Sequence, residues 1–590
     1  MRAKRMAGRL GATGRTTRDD REPAMDAEFE QLGRQYLDDL AARSPVHATG
    51  LGDHRFDGQL DEIGRAAVER RAASCRAFLD RLGRIPRDRL SRSNQVDAAM
   101  LEHHLRAALW HLEELQEWAW NPTHYTGLAG GAIYGLMARE FAPLGERLQS
   151  VASRLEQLPR LLEEVRETLD PERVPKVHAE TAAKQNPGVL SILDGMVTPH
   201  FATLTSHDQA RLAAAAEGAR TAVRAHQRWL EDDLLPRAAG DFRLGARRFD
   251  TKLAFALCSP LTRQEVRRRA QEELDRTTDE MYEIAARLDR EERPGSGGAA
   301  RPGPQEKRGV IRACLEAACR DTRGRDEIVE AARESLAMLT AFVRDAGLVT
   351  LPPEPVEVIV MPEFQRGVAL AYCDSPGPLE VGQKTFYAIA PPPRDWTEEQ
   401  VASLLREYNR RSLCNLTVHE AMPGHFVQLS HANRHPSKLR SVLGSGVFIE
   451  GWAVYAERLM VDQGLLEGDP LMRLVVLKWY LRGIVNAILD QAVHVEGMGE
   501  REAMALMTGQ AFQEQGEAAA KWTRARLTSA QLSTYFVGYQ EHRDLRRDVE
   551  AAWADGFALR RYHDTVLASG SPPTQYARAL MLNLPIGTAG

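Results

Sequence analysis

Apolar residues recur at three- and four-residue intervals, with charged residues between them, through most of the first half of the chain. The segments AAVERRAASCRAFLDRLGRI and LGERLQSVASRLEQLPRLLEEVRETL show this pattern clearly. Such spacing places the apolar side chains on one face of a helix. Pro and Gly breakers, as in WNPTHYTGLAGG and KQNPGV, separate the helical segments. The pattern therefore predicts an N-terminal lobe of long amphipathic helices over residues 25–291.

The helical spacing of apolar residues is interrupted once along the chain. Residues 355–362 (PVEVIVMP) and 383–392 (QKTFYAIAPP) are short, rich in β-branched and aromatic residues, and bounded by Pro or Gly, which predicts two strands. Helical spacing resumes near residue 397 and continues almost to the end. Residues 292–308 have low complexity, which is typical of a flexible loop. We therefore expect a mainly α protein, in which a second helical lobe over residues 309–590 contains a small sheet.

Composition narrows the choice of partners. The 590 residues are 43% apolar and 27% charged, as in an ordinary globular protein. The net charge of −5 is spread along the chain, so no nucleic-acid or membrane-surface partner is indicated. No apolar run approaches the roughly 18 residues that would span a bilayer.

Two further features of the sequence bear on the cellular location of the protein. The six cysteines show no CxxC spacing, which argues for a reducing compartment and against thiolate metal sites. Residues 1–24 are Arg-rich but lack the apolar core of a secretory signal, which favours a disordered tail. These observations predict a cytoplasmic protein.

The segment NLTVHEAMPGHFVQ, residues 415–428, carries the first candidate chemistry. It begins like the HExxH helix of a zinc peptidase, but the second histidine, His425, follows His419 by six places instead of four. Six steps on a regular helix rotate by about 240° and point the two rings apart. Pro423 disfavours helical geometry before it, and Gly424 permits unusual backbone angles. We therefore expect a bulge that returns His425 to the face of His419.

A catalytic zinc site needs three protein ligands and a nearby carboxylate base. Glu420, beside His419, is the candidate base. The helix FIEGWAVYAERLM (448–460) places Glu450 and Glu457 seven residues apart on a largely apolar face. A carboxylate on such a face needs a cation or a metal. We expect Glu450 to be the third ligand and Glu457 to orient a ligand histidine, with a buried salt bridge as the alternative for Glu457.

The pair HEAMPGH and FIEGWAVYAE resembles the signature of the family known as domain of unknown function 885. The segments SPVHATGLGDHRFDGQLDE (44–62) and YHDTVLASGSPP (562–573) resemble its N- and C-terminal segments, so the resemblance covers most of the chain. It implies a large zincin-like helical fold, similar in architecture to helical zinc carboxypeptidases and oligopeptidases. Many members have another histidine after the signature, where this chain has Phe426. That leaves His425 as the candidate second ligand.

The apolar helix over residues 471–497 carries Arg482, Asn486, Asp490 and His494 at four-residue intervals. Such a stripe faces either solvent or an internal cavity. The resemblance also implies functional importance for the Arg, Asp and His of this helix. We expect Arg482 to bind a substrate carboxylate and Asp490 with His494 to form a pair behind the metal ligands. A structural ion-pair network is the alternative.

Helical oligopeptidases supply oxyanion donors from C-terminal helices, and by this analogy Tyr535 and His563 are candidates. The alternative for both Tyr535 and His563 is a structural role, in which the side chain packs in the core. The strand at 383–392 either forms an exposed edge that pairs with an extended peptide or is covered.

Together these features predict a zinc metallopeptidase or amide hydrolase that uses Zn²⁺, with Glu420 as general base and a peptide or small amide as substrate. Two alternatives are a metal-dependent tailoring enzyme for an amino-acid-derived metabolite and a non-catalytic peptide-binding relative. The sequence leaves the oligomeric state open.

Overall fold

A computed structural model describes residues 18–292, 302–361 and 370–587. Over these ranges the protein consists of helices and one small sheet, which confirms the prediction of a mainly α fold. Within them, no helix is both long enough and apolar enough to cross a membrane.

The first part of the chain is entirely helical. Its helices are α1 (Arg18–Arg43), α2 (Pro45–Leu51), α3 (Gly64–Leu82), α4 (Arg92–Trp110), α5 (Pro122–Met137), α6 (Leu144–Thr168), α7 (Lys176–Gln185), α8 (Pro187–Ile192), α9 (Ser206–Trp229) and α10 (Leu235–Arg237). Helix α1 starts inside the segment that the sequence predicts as a disordered tail, and residues 1–17 of that segment lie outside the described residues.

The second part begins with α11 (Gly245–Leu257), α12 (Arg263–Glu292), α13 (Pro304–Cys319) and α14 (Ile328–Asp345). Three strands follow: β1 (Val356–Val360), β2 (Ala371–Asp374) and β3 (Thr385–Ile389). Most of the loop predicted at 292–308 lies outside the described residues, since α12 ends at Glu292 and the description resumes at residue 302.

The remaining helices complete the chain. They are α15 (Glu398–Glu407), α16 (Arg410–Glu420), α17 (His425–Asn433), α18 (Lys438–Val442), α19 (Gly446–Asp462), α20 (Leu465–Gly468), α21 (Pro470–His494), α22 (Glu500–Gln510), α23 (Gln515–Leu527), α24 (Ser533–Trp553), α25 (Leu559–Ala568) and α26 (Thr574–Met581).

The largest hydrophobic core extends from Phe249 in α11 to Ala577 in α26, whereas smaller cores form mainly among the helices that precede α11, one of them together with Leu439 of α18. Helix α12 belongs to the large core and is joined to α21 by a 2.9 Å hydrogen bond from the Tyr480 hydroxyl to Glu273. The packing therefore changes at α11, before the low-complexity segment at which the sequence predicts the lobe boundary.

The sheet has the order β1-β3-β2, with β1 parallel and β2 antiparallel to β3. The sequence predicts β1 and β3 but not the short strand β2. Because β3 is central, the idea that it forms an exposed edge is wrong. The edge strands are β1 and β2, and β2 packs against α16, which carries His419 and Glu420.

Helices α19 and α24 cross with their backbones in direct contact. A Cβ atom added to Gly451 would lie 2.4 Å from the carbonyl carbon of Gly538, and one added to Gly538 would lie 2.2 Å from the oxygen of Val447. Only glycine fits at either position. The crossing fixes α24, which carries Tyr535, against the helix that carries Glu450 and Glu457.

Candidate metal centre

The two histidines of the HEAMPGH segment lie on different helices. Helix α16 ends at Glu420 and α17 begins at His425, and the Met422–Pro423 peptide bond between them is cis. The Gly424 amide donates a 2.9 Å hydrogen bond to the Val418 carbonyl, and a Cβ at Gly424 would lie 1.9 Å from the His419 oxygen. The expected bulge in one helix is therefore a break between two helices.

This break brings the rings of His419 and His425 together, with their centroids 4.8 Å apart and their planes at 89°. Glu450 Oε2 lies 3.7 Å from His419 Nε2 and 3.6 Å from His425 Nε2. Ligand atoms at the corners of a tetrahedral zinc site are about 3.3 Å apart, given bonds of about 2.0–2.1 Å. The three residues predicted as ligands thus form a cluster whose donor types and spacing fit zinc.

Glu457 sets the orientation of His419. The Nδ1 atom of His419 donates a 2.7 Å hydrogen bond to Glu457 Oε1, and Glu457 Oε2 accepts a 2.7 Å bond from Asn415. Because Nδ1 is engaged by Glu457, Nε2 is the ring nitrogen that faces Glu450 and could bind a metal. Burial alone would lower the pKa of His419, but Glu450 and Glu457 raise it well above its ordinary value.

Glu420 is buried beside the cluster and is held by the edge strand. Its Oε2 atom accepts a 3.0 Å hydrogen bond from the backbone amide of Cys373 in β2. Burial raises the pKa of Glu420, the charges of His419 and His425 lower it, and Glu450 raises it further, so the pKa is above its ordinary value. One oxygen of this carboxyl group is therefore fixed by the sheet, and the other makes no hydrogen bond to the described residues.

A cavity of about 180 Å³ opens beside the cluster. His419 and Glu420 line one side, α21 contributes Arg482 and Asn486, and Ala371 contributes from β2. The cavity shares lining residues with a larger and mostly apolar groove of about 600 Å³. The shared residues are Leu370, Tyr408, Glu517 and Ala520.

Tyr535 lines this cavity, as expected for an oxyanion donor. Its hydroxyl oxygen accepts a 3.0 Å hydrogen bond from Arg524 Nη2. A hydroxyl that accepts a hydrogen bond retains its own hydrogen for donation. The geometry therefore leaves the predicted role of Tyr535 open to test.

His563 lies elsewhere, so its predicted role as an oxyanion donor is wrong. Its Nδ1 atom donates to the Leu348 carbonyl at 2.7 Å, and its Nε2 atom accepts from the Tyr455 hydroxyl at 2.9 Å. The ring is fully buried, and burial is the main reason that its pKa falls to about 4. Because both ring nitrogens are used within the core, His563 has no hydrogen left for a substrate.

Arg482 does line the cavity, but its charge is already balanced. It donates to Glu517, lies 3.6 Å from Glu407, and its guanidinium is 4.7 Å from the centre of the Trp479 ring. Glu407 also accepts a 2.9 Å bond from Lys478. These contacts match the structural ion-pair network that the sequence left as the alternative to substrate binding.

Asp490 and His494 hold the connection between α23 and α24. Asp490 accepts hydrogen bonds from the amides of Ala530 and Ser533, and His494 Nε2 lies 2.8 Å from the Thr528 carbonyl. The prediction that they stand behind the metal ligands is wrong, because the polar stripe of α21 winds away from the cavity after Asn486. Their effect on the site is indirect, through the position of α24.

Sequence reasoning missed the polar face of α23. Glu517, Lys521 and Arg524 follow one another at helical spacing and all line the cavity. Lys521 is 8% exposed, and burial, partly offset by Glu517, lowers its pKa to about 7. The spacing was visible in the sequence, but it is equally typical of a solvated helix face.

The family model described as "Bacterial protein of unknown function (DUF885)" matches residues 45–581. Two solved structures are similar. A "putative lipoprotein of unknown function" from Shewanella oneidensis has 32% identity and a TM-score of 0.79, with 94% of this chain and 99% of that chain covered. A "putative lipoprotein" from Colwellia psychrerythraea has 18% identity and a TM-score of 0.77, with 95% and 98% covered. No curated protein matches the chain.

These descriptions contradict the predicted cytoplasmic location, since both similar structures are described as lipoproteins. The prediction relied on cysteine spacing. Cys75, Cys258, Cys319, Cys373 and Cys414 are free thiols, but free thiols do not by themselves confine a protein to a reducing compartment. The prediction of a cytoplasmic location is therefore wrong.

Proposed function

The chain belongs to the family described as a bacterial protein of unknown function (DUF885), and we propose that it is a zinc-dependent hydrolase that cleaves a peptide or amide bond. The observation that carries the proposal is the cluster of His419, His425 and Glu450 with the buried carboxylate of Glu420 beside it. Two imidazoles and a carboxylate leave a fourth position open, as in catalytic zinc sites.

The surroundings of the cluster support a metal over a simple ion pair. Glu450 is shared between two histidines at 3.6 and 3.7 Å, which is longer than a hydrogen bond and close to the spacing of two ligands of one ion. His419 is oriented through Nδ1 by a carboxylate, an arrangement typical of zinc-binding histidines.

Zinc at this site would supply Lewis acidity toward water and the scissile carbonyl. Glu420 takes a proton from the attacking water through the oxygen that Cys373 does not occupy, and returns it to the leaving amine. The Tyr535 hydroxyl, held by Arg524, donates a hydrogen bond to the oxyanion that forms as the carbonyl is attacked.

The sheet favours an extended substrate. Ala371 of the edge strand β2 lines the cavity, and Cys373, two residues further along the strand, donates its amide to Glu420. An extended peptide can add to such an edge through main-chain hydrogen bonds. This arrangement would bring a backbone amide bond to the metal cluster.

We also infer from the similar lipoproteins that this chain acts outside the cytoplasm. Its substrates would then be extracytoplasmic peptides or amides. Fractionation of the native host, followed by immunodetection of the protein, tests this location. Recovery in the cytoplasmic fraction alone would contradict it.

The function is tested with zinc-loaded wild-type protein and the Glu420→Gln variant on a peptide library, with products identified by mass spectrometry. Loss of the general base should slow cleavage by about 10²–10⁴-fold. Glu163→Gln, which alters an exposed carboxylate on α6, is the matched control and should cleave normally. Equal cleavage by wild type and Glu420→Gln, or none by either, would refute the proposal.

A further inference from the structure

Both cations and carboxylates line the cavity beside His419, and the carboxylates are Glu420, Glu457 and Glu517. Three cations line it: Arg482, Lys521 and Arg524. Arg482 is neutralised by Glu517 and Glu407. Both hydrogen bonds of Arg524 to described residues use Nη2 and go to the neutral groups of Gln531 and Tyr535. Among the described residues, neither Lys521 nor Arg524 therefore has a carboxylate partner within 4.0 Å, and both border the cavity.

Lys521 is the more unusual of the two. Its side chain is more than nine-tenths buried and borders the cavity. Within the described residues, the structure records no hydrogen bond and no ion pair for its ammonium group at the 4.0 Å limit. The nearest acid on its own helix, Glu517, is committed to Arg482. A buried ammonium without a partner is costly, and it is retained where an anion binds.

The size of the cavity limits the kind of molecule that can carry this anion. At about 180 Å³ it is below the range of roughly 300–1,000 Å³ that is usual for whole ligands. It therefore suits a small terminal part of a substrate, one end of which lies at His419 and Glu420 and the other at Lys521. For a peptide or acylated amino acid, the anion at such an end is the terminal carboxylate.

We propose that Lys521, assisted by Arg524, binds the free C-terminal carboxylate of the substrate, so that the enzyme removes one C-terminal residue from a peptide or acyl chain. This inference rests on the proposed hydrolase function and assigns its substrate class. It transfers to Lys521 the role that the sequence suggested for Arg482, because the charge of Arg482 is already paired.

The first test uses a library of N-acetylated tetrapeptides, prepared once as free acids and once as C-terminal amides. Zinc-loaded wild-type protein should release single C-terminal residues from the free acids and cleave the amides at least tenfold more slowly. Amides that end in Asp or Glu separate a terminal carboxylate from a side-chain carboxylate. Equal rates on free acids and amides would overturn the proposal.

Substitutions of Lys521 test whether this residue binds the substrate carboxylate. Lys521→Met should reduce kcat/KM on the free acids by about tenfold or more, mainly through KM, so that the preference for free acids over amides is lost. Lys521→Arg should retain most of the preference. Lys176→Met, the same change at an exposed lysine on α7, is the matched control. A Lys521→Met variant that keeps the wild-type preference for free acids would contradict the assignment.

A binding measurement separates this proposal from the hydrolase proposal. Calorimetry on Glu420→Gln with the same tetrapeptides should show tighter binding of the free acids than of the amides, and Glu420→Gln/Lys521→Met should lose that difference. If wild type cleaves nothing but the difference persists, hydrolysis fails and the carboxylate site stands. If wild type cleaves both sets and Glu420→Gln binds them equally, the carboxylate site fails and hydrolysis stands.

Discussion

His419 Nδ1 lies 2.7 Å from Glu457 Oε1, and this contact decides which nitrogen of the ring faces Glu450. The two residues come from helices α16 and α19, so the bond also joins the two elements that supply the metal cluster. Both carboxylate oxygens of Glu457 are engaged, one by His419 and the other by Asn415. Glu457 acts through the histidine that it holds.

Replacing Glu457 with Gln should therefore weaken zinc binding without removing a ligand. The glutamine side-chain amide is a poorer acceptor than the glutamate carboxylate for the hydrogen on His419 Nδ1. It therefore no longer favours the tautomer of His419 in which Nε2 is free to bind zinc. We expect zinc affinity, measured by competition with a chromophoric chelator, to fall by about 10–100-fold. Glu467→Gln, an exposed change in α20, serves as the control. Unchanged affinity in Glu457→Gln would show that the contact is only structural.

A second prediction concerns Gly424. Its Cβ would lie 1.9 Å from the His419 oxygen, so Gly424→Ala forces the break between α16 and α17 to move. We expect a loss of several kcal/mol in the free energy of unfolding, seen in urea titration, or a failure to fold. Gly309→Ala in α13 has no atom within 4 Å of its Cβ and should instead gain about 0.5–1 kcal/mol. Equal effects of the two changes would contradict this account.

A third prediction separates structural from substrate-binding roles at Arg482. Arg482→Met leaves the buried carboxylates of Glu407 and Glu517 with fewer partners, and we expect unfolding free energy to fall by about 3–5 kcal/mol. Adding Glu517→Gln should recover part of this loss. Urea titrations of the single and double variants measure both effects. A variant that keeps full stability but loses substrate affinity would favour the role predicted from the sequence.

A fourth prediction concerns pH and His54, which belongs to the N-terminal family segment. Burial lowers the pKa of His54, but hydrogen bonds to Asp57 at 2.9 Å and Glu380 at 3.2 Å raise it to about 9. A histidine whose pKa rises on folding stabilises the folded state. The stabilisation is complete at pH values below the unfolded-state pKa of about 6.5, and it is lost as the pH rises through the folded-state pKa.

His54→Gln should therefore destabilise the protein more at pH 6 than at pH 9.5. Thermal unfolding of wild type and variant at both values measures the difference in Tm. His207→Gln, at an exposed position on α9, should show no such pH dependence. An equal loss of Tm at both pH values would indicate that His54 contributes only by packing, for example through its stacking on Phe141.

The metal cluster could be predicted from the sequence because its spacing carries the information. His419, His425, Glu450 and Glu457 lie in two short motifs, and burial of so many polar groups in apolar helices requires partners. The cis Met422–Pro423 bond and the break that accompanies it were not predicted. Pro and Gly signal a distortion but do not say whether a helix bulges or ends.

The rest of the site could not be read in the same way, because it depends on contacts distant in sequence. Cys373 donates to Glu420 from a strand of four residues that has no strong pattern. Lys521 looks like any charged residue on a short helix until the cavity is known. His563 was expected near the metal by analogy with helical oligopeptidases, and Asp490 from its place in a polar stripe, yet their hydrogen bonds are satisfied by the core and by a helix connection.

The zinc content of the purified protein tests the central claim most directly. After dialysis against zinc-containing and then metal-free buffer, inductively coupled plasma mass spectrometry should find about one zinc per wild-type chain. His425→Ala and Glu450→Ala should each lose most of it, whereas His207→Ala, at an exposed position on α9, should keep it. A wild-type chain that retains no zinc, or a His425→Ala chain that retains as much as wild type, would contradict the account.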